Sequence, residues 1–311
     1  MQEKWIGVSE RLKEFLAQHS ISMRKMSALV EELSDTKVSA ASLSLLSRKQ
    51  MNNGSVWGDD LLFAVSHAMQ RYEEDAARPL ETKNLKMITT ICEECIGKKS
   101  MHVVIGESGF GKTTAFREYL RRNKEAVAIT ADPTMKLRSM LQAICEAVDI
   151  DYRMRATPHK IVLDLIERAP DQIIIDDAHR LTSMCFETLR KIHDASEKTS
   201  IIILGQSCLI NKLTVSSNKE ENLTQLVSRI GLFVELQAPD DAEIRGIINK
   251  MGIAKRDVQD AIVKNCRVLG HKNLHRVERL VNAIKEMAET NNTPLNEVPD
   301  FWADEARKDM L

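Results

Sequence analysis

Residues 106–113 read Gly106-Glu107-Ser108-Gly109-Phe110-Gly111-Lys112-Thr113 and match G-x-x-x-x-G-K-[ST]. Before them, Met101-His102-Val103-Val104-Ile105 is a short apolar run that predicts a buried strand. After them, Thr114 to Leu120 predicts the first turns of a helix, with Thr114 beside the loop. Three glycines let the backbone fold closely around an anion, so that amide N–H groups point inward at phosphate oxygens. The helix N-terminus adds the positive end of its dipole. Lys112 supplies a point charge for the outer phosphates, and the Thr113 hydroxyl suits a magnesium ion. The chemistry implied is binding of a nucleoside triphosphate.

A second signal lies some sixty residues on. Gln172-Ile173-Ile174-Ile175-Asp176-Asp177 is an apolar strand ending in two carboxylates. A magnesium ion on the phosphates needs an acidic residue at a strand's carboxyl end, and Asp176 is placed for that role. Asp177 follows, placed to orient or deprotonate an attacking water. Ser200-Ile201-Ile202-Ile203-Leu204-Gly205-Gln206 predicts another buried strand, with Gln206 at its carboxyl end to meet the terminal phosphate or the water.

The elements that must hold these residues follow from periodicity. Strands are expected at 101–105, 126–130, 172–176, 200–206 and 232–236, separated by helical stretches. That alternation predicts an α/β core with a parallel sheet covered by helices on both faces. From Pro239 onward no strand pattern remains, and helices are expected near 240–251, 255–267, 272–289 and 295–308.

Residues 1–76 read as a separate helical domain. Ser9 is expected to cap a helix through Leu16, Ser22 a second through Leu33, and Ser39 or Ala40 to start a third that ends at Arg48-Lys49-Gln50. The turn Asn52-Asn53-Gly54 and an amphipathic helix from Gly58 follow. Short helices with short connections resemble a helix-turn-helix, in which Ser39, Ser42, Ser44 and Arg48 would face DNA. Residues 1–78 carry 10 basic and 11 acidic side chains, however, which leaves a bundle that docks on protein as the alternative. Arg71 to Pro79 is expected as a linker, and 77–97 as linker plus a lead-in helix from Leu85, with Thr82 and Ile88 against a base.

Across the chain 44 basic residues face 45 acidic ones, so bulk charge exerts no pull toward nucleic acid and any DNA site must be local. No apolar run reaches membrane-spanning length and no signal-peptide core is present. The six cysteines are scattered, and Cys92 and Cys95 form a single C-x-x-C within a helical pattern, without a second pair at zinc spacing. They read as buried thiols of a reducing cytosol.

The motifs and their order resemble the AAA+ ATPases, and more narrowly the Mu B, TnsC and TniB transposition ATPases. The resemblance implies a helix-turn-helix-like domain over 1–76, an AAA+ P-loop ATPase core over 98–238 and a small helical lid over 239–311. It makes Gly106–Thr113 the Walker A motif, Ile173–Asp177 the Walker B motif and Gln206 sensor 1. In the same way Arg229 is placed as an arginine finger reaching a neighbouring subunit, and Arg276 as sensor 2. Where the family ends Walker B in Asp-Glu, this chain has Asp176-Asp177, which implies intact ATP binding and slow intrinsic hydrolysis. Arg153 and Arg155, with Lys136 and Arg138, are the implied contacts to duplex DNA. The implied function is an ATP- and magnesium-dependent, non-sequence-specific DNA-binding ATPase that forms helical oligomers on target DNA. It would deliver that DNA to a transposase in the cytoplasm of a bacterial host. A helicase loader or replication initiator, and a nucleotide-gated transcriptional regulator, are the competing readings.

Overall fold

The computed structural model describes residues 2–18, 21–34, 36–50, 57–150, 157–168, 170–214, 223–268 and 270–308. Two compact units divide the chain, Met1–Arg78 and Pro79–Leu311.

Among its described residues the first unit is a bundle of four helices, α1 (Gln2–Gln18), α2 (Met23–Ser34), α3 (Ala40–Ser47) and α4 (Asp59–Ala77). Leu12, Phe15, Met26, Val30, Leu43, Leu46, Val65 and Met69 form its core. Ser22 and Ser39 cap α2 and α3 by accepting the N–H of Lys25 and Ser42. Ser9 does not cap a helix. It lies buried within α1, its hydroxyl bonded to the Leu46 carbonyl. The expected linker also shrinks, because α4 continues through Arg71 and the acidic run to Ala77. The turn 52–54 lies outside the described residues.

The second unit runs α5 (Lys83–Lys98), β1 (Met101–Ile105), α6 (Lys112–Arg122), β2 (Ala126–Thr130), α7 (Leu137–Ala147), α8 (Pro158–Glu167) and β3 (Gln172–Asp176). It continues with a 3-10 turn at Ala178–Arg180, α9 (Ser183–Ala195), β4 (Ser200–Gly205), α10 (Cys208–Thr214), α11 (Thr224–Val227) and β5 (Ile230–Glu235). The strands form one parallel sheet in the order β2-β3-β4-β1-β5. Every residue of β1, β3 and β4 is buried, the pattern of parallel strands covered on both faces. Ile173, Ile175, Ile201 and Ile203 face a core shared with α7 to α11, whereas Val104, Ile174, Ile202 and Leu204 face α5 and α6. β2 and β5 are the edge strands, and β5 is only alternately covered.

Helices α12 (Asp241–Lys250) and α13 (Arg256–Asn265) then lead to a two-stranded antiparallel hairpin, β6 (Arg267–Val268) and β7 (His271–Lys272). That hairpin breaks the all-helical expectation for this stretch: two residues per strand are too short for alternation to register. Helices α14 (Leu274–Thr290) and α15 (Trp302–Lys308) complete the unit. Ile244, Ile248, Ile262, Val277, Leu280 and Ile284 build a separate apolar core for these helices.

Because Ile202 is fully buried at the centre of the sheet, Ile202→Ala should lower stability by about 2–5 kcal/mol. Urea denaturation of the full chain measures it, and a loss below about 1 kcal/mol would contradict the packing described.

Candidate nucleotide site

The site grows from the carboxyl ends of β1, β3 and β4. β1 delivers the chain to the loop, whose Gly109 and Gly111 adopt φ of 80° and 84°, the left-handed region that favours glycine. Gly111 is also the N-cap of α6, so Lys112 and Thr113 open a helix with free N–H groups. Lys112 is buried, and its Nζ donates to the carbonyls of Gly106 at 2.5 Å and Glu107 at 3.0 Å. Burial pulls its pKa below the usual lysine value, opposed by the charges of Asp176, Asp177 and Glu107. A desolvated ammonium held by two carbonyls is poised to attract an anion.

Across the end of β4, which lies between β1 and β3 in the sheet, the Thr113 hydroxyl donates to Asp176 Oδ2 at 2.7 Å. The Asp177 N–H donates to Asp176 Oδ1 at 2.9 Å. Burial raises the Asp176 pKa, and the nearby Asp177 charge adds to that, while the two hydrogen bonds and Lys112 oppose it. Two hard oxygen donors, a hydroxyl and a carboxylate, thus meet beside the phosphate loop, a donor set that fits magnesium. Asp177 takes φ 52°, and its carboxylate stands 3.7 Å from Arg180 and 4.0 Å from His179. Gln206 follows β4 directly and is half-buried.

Sequence reasoning missed how closely the start of α14 joins the loop. Asn273 Nδ2 donates to the Ser108 carbonyl at 2.8 Å, and the Leu274 N–H donates to the Gly109 carbonyl at 3.0 Å. One turn further lies Arg276, whose Nε is buried without a hydrogen-bond partner among the described residues. Asn84 in the first turn of α5 bonds the carbonyls of Phe110 and Gln237 at 3.0 and 2.8 Å. Ser207 donates to Glu107 Oε1 at 2.6 Å. Phe110 and His271 meet edge to face, with ring centroids 6.3 Å apart, on the wall of a cavity of about 280 Å³ that Glu107, Ser207 and Gln237 also line. The two residues expected against a base are engaged elsewhere. Thr82 caps α5 by accepting the Leu85 N–H, and Ile88 is wholly buried in the apolar core.

The remaining candidates lie apart from the loop. Arg229 directly precedes β5, whose first residue pairs with Met101, so it sits at the opposite end of the sheet. Five strand residues span about 16 Å, and Arg229 therefore cannot serve its own chain's loop. Its Nε donates to Asp194 at 3.0 Å, and Arg190 holds the other oxygen of the same carboxylate at 2.8 Å. Lys136 is exposed at the start of α7 and Arg138 half-buried in its first turn, while Arg153 and Arg155 lie outside the described residues. Cys92 and Cys95 are buried free thiols on α5; burial raises both, Cys95 to about 11. No group of three or more potential metal-ligating His, Cys, Asp or Glu residues occurs among the described residues. Among them, too, no helix is long and apolar enough to cross a membrane.

Residues 96–213, which hold the loop, the acidic strand and β4, match the family of the AAA domain. Target DNA activator B, an ATP-dependent protein of Escherichia phage D108, is 27% identical over 198 residues, 59% of this chain and 62% of that one. Its counterpart in Escherichia phage Mu is 26% identical over the same extent. The chain thus spans about six-tenths of the length of these curated relatives. The fold resembles that of Cdc6p from Pyrobaculum aerophilum, with a TM-score of 0.61 at 14% identity over 75% of this chain and 69% of that one. This chain has an AAA+ P-loop fold and resembles phage Mu protein B. A fold of that kind accounts for the Thr113–Asp176 bond and for the seating of Lys112 on the loop carbonyls.

The Asp176 shift has a consequence for stability. A carboxyl whose native pKa is raised keeps its proton where the unfolded chain has lost it. Its contribution is therefore greatest below the ordinary 3.8 and declines as pH rises through the raised value. Asp176→Asn removes that decline. In magnesium-free buffer, the melting temperature of the variant relative to the parent should climb with pH above about 4. A constant difference would show that the carboxylate is not desolvated.

Proposed function

We propose that this protein is an ATP- and magnesium-dependent ATPase that binds duplex DNA without sequence preference. It assembles on target DNA as a helical oligomer and delivers that DNA to a transposase in the bacterial cytoplasm. The observation that carries the ATPase reading is the Thr113–Asp176 hydrogen bond at 2.7 Å beside the buried Lys112. The transposition reading rests on the match to the target DNA activators of phages D108 and Mu.

In this reading the amides of the loop and the N-terminus of α6 hold the phosphates, with Lys112 and Arg276 on the outer charge. Thr113 and Asp176 would hold magnesium, which when bound neutralises charge on the β- and γ-phosphates. Asp177 orients the attacking water, and Gln206 contacts the terminal phosphate or that water. Arg229 acts on the nucleotide of a neighbouring subunit, which ties hydrolysis to assembly. Its exposed guanidinium, seated on Asp194 at the far end of the sheet, supports that reading. Arg153, Arg155, Lys136 and Arg138 contact DNA phosphates, giving salt-sensitive and sequence-tolerant binding.

Electron microscopy with ATP, magnesium and random-sequence duplex should show filaments that need both nucleotide and DNA and that Lys112→Ala abolishes. Discrete rings or monomers indifferent to DNA would overturn the proposal. Turnover gives a second check. Asp177→Glu extends the carboxylate by one methylene toward the water and should raise the ATPase rate several-fold, since catalytic geometry tolerates little misplacement. An unchanged or lower rate would count against Asp177 as the residue that positions water.

A further inference from the structure

We infer that Asn273 is a positioning residue that sets the conformation of the phosphate loop from the lid, an inference that rests on reading Gly106–Thr113 as a nucleotide site. Its amide is used at both ends. Oδ1 accepts the Arg276 N–H at 3.0 Å and so caps α14. A backbone N–H can only donate, so the other end of the amide must be Nδ2, and Nδ2 donates to the Ser108 carbonyl at 2.8 Å. The next residue repeats the contact through its backbone, Leu274 N–H to Gly109 carbonyl at 3.0 Å. Two successive residues of the lid thus hold two successive carbonyls of the loop.

In a trans peptide the carbonyl and the following N–H point in opposite directions. Holding the Ser108 carbonyl toward Asn273 turns the Gly109 N–H away from the lid. Holding the Gly109 carbonyl toward Leu274 turns the Phe110 N–H away as well, and that group closes the loop on the Glu107 carbonyl at 3.3 Å. That leaves the Gly109 N–H to face an anion, as an anion-binding loop requires, while the Phe110 N–H is used by the turn. The approach is close enough to dictate the residue on the other side: a Cβ on Gly109 would lie 2.4 Å from the Asn273 amide. Arg276 meets the ligand directly in the proposed mechanism, whereas Asn273 acts only through the loop. Lid docking and nucleotide binding are then one equilibrium, and each favours the other.

Two substitutions separate this role from helix capping. Serine caps as well as asparagine but is too short to cap and also reach Ser108. Leu274→Pro removes the N–H that holds Gly109 while keeping the helix start, because proline is tolerated at the first helical position. Asn273, at φ −133° and ψ 119°, already has the extended backbone that a residue before proline adopts. Titration of the full chain with a fluorescent ATP analogue, paired with thermal melts, reads the effect. Asn273→Ser should bind about five- to tenfold more weakly, with a melting temperature lowered by no more than the loss of one hydrogen bond costs. Leu274→Pro should weaken binding at least as much with its helical circular dichroism retained. Wild-type affinity in both variants would overturn the inference and leave Asn273 a cap alone. If instead the parent protein shows no saturable binding, or Lys112→Ala binds as tightly as the parent, the nucleotide reading itself fails.

Discussion

A buried ammonium and a buried carboxylate share the end of one sheet, and the rest of the second unit exists to keep them there. Lys112 and Asp176 are both nearly inaccessible, and burial moves their pKa values toward neutrality from opposite sides. Removing two charges from water costs more than their attraction returns unless hydrogen bonds satisfy what remains. Here two loop carbonyls, the Thr113 hydroxyl and the Asp177 amide do so. None of these partners would stay in place on a flexible loop. They are fixed because β1, β3 and β4 are parallel, fully buried and held in register, so their carboxyl ends form one rigid rim.

That rim was the most legible part of the molecule. Runs such as Ile173-Ile174-Ile175 and Ile201-Ile202-Ile203 leave little choice but a strand covered on both faces, and the polar residue that ends such a run must stand at the sheet's edge. The glycine pattern of the loop and the acidic pair were readable for the same reason: backbone conformation and local chemistry coincide there. What escaped was every contact made by residues with an ordinary local job. Asn273 reads from sequence as the start of a helix, and nothing local shows that its other amide end reaches Ser108. Asn84 and Ser207 are likewise unremarkable until the fold brings Phe110, Gln237 and Glu107 to them. Ser9, a serine near an apolar stretch, has the local look of a cap. In fact α1 runs past it, and its hydroxyl satisfies a carbonyl of α3.

Arg229 illustrates how topology constrains function more tightly than motif. Its place before β5 puts it at the amino-terminal end of a parallel sheet whose chemistry lies wholly at the carboxyl-terminal end. A single chain cannot bring the two together, so any action of Arg229 on phosphate demands a second copy. Asp194 holds both Arg229 and Arg190, and although burial works against its ionisation, those two cations keep its pKa below the usual range. The pair is partly exposed and its energy correspondingly modest. Its effect is geometric: with Nε engaged, the guanidinium keeps terminal N–H groups for another partner.

Backbone conformation also bears on the two aspartates that end the acidic strand. Asp177 adopts φ 52°, a left-handed backbone that short polar residues such as Asp and Asn tolerate better than longer ones. Glutamate at this position would gain reach toward a water and lose conformational ease. A backbone that bends this sharply after β3 also lets the Asp177 N–H turn back onto the Asp176 carboxylate, one of the bonds that make that buried charge tenable. The shorter side chain is therefore coupled to the hold on the buried carboxylate beside it. One backbone conformation thus sets both the short reach of Asp177 and the hydrogen bond that holds Asp176.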